Sequence, residues 1–132
     1  MRILIAEDDF ASRKFMQKYL SNFGDCDITI DGEEAVEAFR MALEDNEPYD
    51  LICLDIMMPA MDGYQVLKVV REIEEENDLT GEDAVKIIMT TALNAERNIK
   101  AAFDMGCTVY CAKPIDLEKF EEVLNKIGIT QA

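Results

Sequence analysis

The sequence predicts a doubly wound α/β domain in which one sheet of five parallel strands carries helices on both faces. Three observations predict it. Short, continuous apolar runs recur along the chain, as strands covered on both faces require. An amphipathic stretch with helical spacing follows each run. The alternation is strict through five strand-helix pairs, and right-handed crossovers turn that alternation into a sheet between two helical layers.

The first strand is the apolar run Ile3-Leu4-Ile5-Ala6. The helix after it gathers Phe15, Met16, Tyr19, Leu20 and Phe23 on one side, with Arg13, Lys14, Gln17 and Lys18 on the other. Gly24 is read as its C-terminal stop. From Cys26 to Ile30 the chain alternates, with Cys26, Ile28 and Ile30 on one face, the pattern of a half-exposed edge strand. Asp31-Gly32 breaks that strand, and a second helix places Ala35, Val36, Phe39 and Leu43 on one face.

Leu51-Ile52-Cys53-Leu54 is a second buried run and ends on Asp55. Pro59 to Gly63 is a loop rich in breakers. The third helix shows Val66, Leu67, Val70 and Ile73. A polar loop with Asn77, Asp78, Thr80 and Gly81 leads to a strand from Lys86 to Thr90. The fourth helix carries Ile99, Ala102 and Phe103 and stops near Gly106. Val109 to Ala112 is the fifth strand. The last helix has Leu117, Phe120, Leu124 and Ile127, with Asp116 as N-cap and Ile115 with Phe120 as a hydrophobic staple.

Composition narrows the function. The 132 residues suit one domain, 1–132, and 49% hydrophobic content supplies a buried core. No apolar run is long enough to span a membrane, and charge arrives too early in MRILIAEDD for a secretory signal, so a cytoplasmic location is expected. Net charge is −15, which repels nucleic acid and acidic membrane surfaces alike. The run Glu72, Glu74, Glu75, Glu76 reads as a solvated helix face. The four cysteines form no CxxC pair, and the chain has no histidine. Zinc sites of the usual kinds, Ser-His-Asp and Cys-His catalysis, and a phosphohistidine carrier role are therefore excluded. Reduced thiols are expected, with Cys53 as a core residue.

In such a sheet, ligands bind beyond the carboxyl ends of the strands. Glu7, Asp8 and Asp9 follow the first strand and Asp55 the third. Thr90 and Thr91 follow the fourth strand, and Lys113-Pro114 the fifth. Each has a plain structural role available: Asp9 can cap a helix, Lys113 can be a surface lysine, and both threonines suit a strand. Together they gather carboxylates whose repulsion demands protons or a cation. An all-carboxylate cluster suits Mg²⁺. A lysine and a hydroxyl beside it complete a phosphoryl site.

These segments read Glu7-Asp8, then Asp55-Ile56-Met57-Met58-Pro59-Ala60-Met61-Asp62-Gly63, then Thr91-Ala92, then Lys113-Pro114. In type and spacing they resemble the response-regulator receiver family, single-domain chemotaxis regulators included, over residues 2 to 128. The resemblance implies a flavodoxin-like (βα)5 sandwich with strand order 2-1-3-4-5. It implies that Asp55 accepts a phosphoryl group from a histidine kinase or phosphotransfer protein. Asp8, Asp55 and the Met57 backbone carbonyl would bind Mg²⁺, and Glu7 would act through a metal-bound water. Thr91 would hydrogen-bond the phosphoryl group, Lys113 would pair with it, and the Lys113-Pro114 peptide would be cis. Tyr110 would be the switch aromatic, turning inward when Thr91 moves. The side chains of Met57 and Met58 are read as packing. The readout face would be Ala95 to Met105, Thr108 to Cys111 and Asp116 to Ile127. Such a receiver is a monomer or weak phosphorylation-dependent dimer and catalyses only its own phosphorylation and dephosphorylation. With no DNA-binding or catalytic output domain in the sequence, its output is expected through a partner protein.

Three alternatives compete. A haloacid-dehalogenase-type phosphatase also uses an Asp nucleophile with Mg²⁺, but needs an Asp two places on, where Met57 stands. A flavin carrier needs a phosphate loop after the first strand, where three acids would repel it. A pseudo-receiver that no longer takes phosphate is opposed by the complete Asp8, Asp55, Thr91 and Lys113 set.

Overall fold

The computed structural model describes residues 1–91, 103, 104, 106–113 and 115–129, with Thr91 described through its backbone alone. Five strands make one parallel sheet. They are β1 (Arg2–Ala6), β2 (Asp25–Thr29), β3 (Leu51–Asp55), β4 (Lys86–Thr91) and β5 (Val109–Ala112), in the order β2-β1-β3-β4-β5. The described helices are α1 (Phe10–Leu20), α2 (Gly32–Glu44), α3 (Gly63–Glu76) and α4 (Leu117–Lys126). The predicted fourth helix falls almost wholly outside the described residues. Of its expected core residues only Phe103 is described, and it is exposed.

Burial follows from position in the sheet. β3 is central and buried along its whole length, so it reads as an unbroken apolar run. β2 is an edge strand and alternates, with Cys26 and Ile28 half-buried. Strand alternation then sorts the core in two. Ile3, Ile5, Leu51, Cys53, Ile88, Val109 and Cys111 meet Met16 and Leu20 of α1 and Phe120 and Leu124 of α4. Leu4, Ala6, Ile52, Leu54, Ile87 and Met89 meet Val36 and Phe39 of α2 and Val66, Leu67 and Val70 of α3. Ile115 packs on the first cluster beside Phe120, as a staple would place it.

Helix starts are fixed by side chains. Asp9, Asp31, Asp62 and Asp116 each accept the N–H three residues on, and Asp62 with Gln65 forms a full capping box.

Several local expectations are corrected. Gly24 does not stop α1, which ends at Leu20 with Ser21 as C-cap. A Cβ on Gly24 would lie 2.1 Å from the Met1 carbonyl oxygen, so close backbone approach explains that glycine. β2 ends at Thr29 and leaves Ile30 exposed, because the chain must turn to make Asp31 a cap. Leu117 is exposed, since the first turn of α4 precedes its buried stripe of Phe120 and Leu124. Glu74 is not a solvated acid: it is 1% exposed and takes hydrogen bonds from Arg71 and the Val85 N–H. That pairing ties α3 to the start of β4 and satisfies a charge that burial alone would penalise.

Candidate functional site

The site forms at the carboxyl edge of β1, β3, β4 and β5, where the backbone leaves the sheet. Alternation aims its residues. Asp55 and Thr90 continue the face of Leu51, Cys53 and Ile88, and Thr90 stands directly beside Asp55 in register. Glu7 and Lys113 follow Ile5 and Cys111 on that same alternation, one residue beyond their strands.

Glu7, Asp8 and Asp55 offer carboxylate oxygens that all lie within 4.8 Å of one another. Glu7 and Asp55 are buried, whereas Asp8 is exposed and opens to solvent. Lys113 Nζ lies 2.7 Å from Glu7 Oε1 and 3.4 Å from Asp55 Oδ2. At 2.7 Å from the ammonium, Glu7 is held in a buried ion pair. Among the described residues, Glu7 Oε1 and Thr90 Oγ1 are the buried side-chain oxygens with no hydrogen-bond partner.

The electrostatics follow from that crowding. Burial drives the Asp55 carboxyl up from 3.8 to about 8, and the Glu7 carboxyl beside it pushes the same way. Lys113 and the Met57 N–H oppose the shift without cancelling it. Lys113 is itself raised: burial acts to lower it, and the contacts with Glu7 and Asp55 more than offset that. Asp9 is lowered mainly by its hydrogen bonds with Ser12, as a helix cap should be.

The loop after β3 is held by close backbone packing. The Ile56 N–H donates to the Thr90 carbonyl and the Gly63 N–H to the Ile56 carbonyl. A Cβ on Gly63 would sit 2.6 Å from the Asp55 carbonyl oxygen, and one on Gly32 2.2 Å from the Met61 carbonyl oxygen. Ala60 takes φ 68°, a left-handed conformation that costs a residue bearing a Cβ. The Met57 N–H donates to Asp55 Oδ1 at 3.3 Å. The Met57 side chain is exposed, contrary to the packing role expected for it, while Met58 is buried. The N–H bond turns the Met57 peptide towards Asp55 and leaves its side chain on the rim.

Thr91 pairs with Ala112 at the end of β4, and Pro114 lies outside the described residues, so the expected cis peptide does too. Tyr110 is half-buried on β5, and burial raises its phenol, with Tyr64 as a further cause. Arg13, which by its spacing belongs to the outer side of α1, turns back on the site. Its guanidinium donates to the Glu7 and Asp8 carbonyls.

Fold and pocket together define the class: a doubly wound module that collects carboxylates and a lysine at its topological switch point, a setting for a hard cation. The chain belongs to the response regulator receiver domain family, whose model matches residues 3–125, and it is a receiver of two-component phosphorelay signalling. It is similar to probable histidine kinase 2 of Oryza sativa subsp. indica, 30% identical over 96% of this chain. The chain spans 13% of that kinase's length. A structure of the CheX-CheY-BeF3-Mg complex from Borrelia burgdorferi matches at TM-score 0.78 and 28% identity, over 96% of this chain and 89% of that one. The Saccharomyces cerevisiae complex of Ypd1 with the Ssk1 receiver domain matches in fold at TM-score 0.82 and 24% identity, over 100% and 91%. Among the described residues no helix is long and apolar enough to cross a membrane.

Proposed function

We propose that the chain accepts a phosphoryl group on Asp55 in a Mg²⁺-dependent reaction and then controls a partner protein. One observation carries this: Glu7, Asp8 and Asp55 converge in one pocket, with Lys113 bridging two of them. The donor set is all oxygen, with no thiolate or imidazole, and its excess charge is held off by a raised Asp55 and one lysine. That fits a hard divalent cation. Asp8, Asp55 and the Met57 carbonyl would hold Mg²⁺ and Glu7 would act through a water. The cation would neutralise charge on the transferring phosphoryl oxygens.

The protein's own groups do the rest. A carboxylate oxygen of Asp55 forms the new O–P bond as the P–N bond of a phosphohistidine donor breaks, and the imidazole leaves with the electron pair. Lys113, already within 3.4 Å of Asp55, pairs with the incoming phosphoryl oxygens. The Thr91 hydroxyl donates to the same group, and its movement frees space for Tyr110 to turn inward. The new charge thereby favours one of two existing conformations. The donor is a histidine kinase or histidine phosphotransfer protein. The downstream target reads the face of β5, α4 and the segment 95–105. The protein performs this single-site chemistry in the cytoplasm and turns over no other substrate. The Asp-nucleophile phosphatase reading lacks its acid/base, because Met57 occupies that position.

Beryllofluoride, which adds to an aspartate as a phosphoryl mimic, tests the switch. With Mg²⁺ present it should shift the Tyr110 ring resonances in NMR spectra, and Asp55→Asn should abolish the shift. Unchanged Tyr110 signals in the wild type would leave a pseudo-receiver as the better account.

A further inference from the structure

The geometry points to Arg13 as a positioning residue of the metal pocket, one that aims Glu7 and Asp8 by holding the backbone between them. The inference rests on the Mg²⁺ reading of that pocket. The link from β1 to α1 is only Glu7, Asp8 and Asp9. Its two ends are pinned: the Glu7 N–H donates to the Thr29 carbonyl at 3.1 Å, and Asp9 accepts the Ser12 N–H at 2.9 Å. Between those pins, Arg13 Nη1 donates to the Glu7 carbonyl at 3.2 Å and the Asp8 carbonyl at 3.3 Å. Two successive peptide planes are thus tied to one rigid guanidinium. The rotations that aim the Glu7 and Asp8 carboxylates lie between and beside those planes.

Arg13 is itself held in place. It is half-buried, and its guanidinium lies 5.5 Å over the Phe10 ring. An arginine on the outer side of a helix is ordinarily a solvated charge. This one instead turns back on the loop that carries two of the three acids of the pocket.

The clamp and the bare charge of Arg13 predict opposite results. A cation near a metal pocket repels the metal, so charge alone predicts tighter Mg²⁺ binding when Arg13 is removed. A clamp predicts weaker binding, as loss of an outer partner does at metal sites generally.

The test uses the full chain as wild type, Arg13→Ala, Arg13→Gln and Arg13→Lys. Mg²⁺ is titrated by calorimetry, and hydrogen exchange at the Asp8 and Asp9 amides is followed without metal in chelator. The expected result is an Mg²⁺ Kd weakened about 10-fold in Arg13→Ala, partial recovery in Arg13→Lys, and faster exchange at both amides. A merely structural role would lower the melting temperature and leave the Kd of the folded protein unchanged. An unchanged or tighter Kd in Arg13→Ala overturns the proposal. If that variant does not fold, Arg13→Gln takes its place, and an unchanged or tighter Kd there overturns the proposal equally. If the wild type itself takes up no Mg²⁺, the pocket reading fails, and the metal-free exchange alone decides whether the clamp exists.

Discussion

Replacing Asp55 with Asn should make the metal-free protein more stable, by an amount that grows with pH. Asp55 is 3% exposed and lies among Glu7, Asp8 and Lys113. Its carboxyl sits at about 8 in the folded chain against 3.8 as the ordinary value, chiefly through burial. Between those two pH values the folded protein keeps a proton that the unfolded chain releases. Stability from this group is therefore complete below about pH 4 and is lost as pH rises towards 8. The slope is at most about 1.4 kcal/mol per pH unit, so the step from about pH 5 to pH 7 costs up to about 3 kcal/mol. Asn cannot ionise and escapes that loss, while Lys113 keeps its ion pair with Glu7. At this chain length 1 kcal/mol moves the melting temperature by roughly 3–5 °C. In chelator, the advantage of Asp55→Asn should therefore widen by up to about 15 °C between pH 5 and pH 7. Mg²⁺ should narrow it by stabilising the ionised wild type. Thermal melts monitored by circular dichroism across that range provide the assay. Parallel pH profiles for the two proteins in chelator would show that Asp55 does not hold a proton in the folded chain over this range.

Two further substitutions probe the same neighbourhood. Thr90→Val removes a buried hydroxyl that has no partner among the described residues at nearly constant shape, so urea melts should show a gain of about 1 kcal/mol. Gly63→Ala drives a methyl to 2.6 Å from the Asp55 carbonyl oxygen, so it should cost about 1–3 kcal/mol in the same melts and slow phosphorylation by displacing Asp55.

The fold was legible because its central strands are covered on both faces. Ile3–Ala6 and Leu51–Leu54 must then be apolar without interruption, and their spacing separates strand from helix. The site was legible for the complementary reason. Glu7, Asp8 and Asp55 are charges placed where an apolar run stops, and only the topology explains why those stops coincide. What escaped depends on partners distant in sequence or on backbone geometry. Glu74 looks like its neighbours in an acidic run until Val85 brings a buried N–H to it. Arg13 has the spacing of a surface residue, and nothing in that spacing reveals a donor reaching back to the carbonyls of residues 7 and 8. The exposure of Met57 reflects a peptide turned towards Asp55, and the left-handed Ala60 sits at a position whose side chain gives no hint of it.

Phosphoryl transfer to Asp55 can be read by intact-protein mass spectrometry after incubation with acetyl phosphate and Mg²⁺. One added phosphoryl group, labile and Mg²⁺-dependent, is expected on the wild type and none on Asp55→Asn. A wild type that gains no mass, or an Asp55→Asn variant that gains the same mass, would contradict transfer to Asp55.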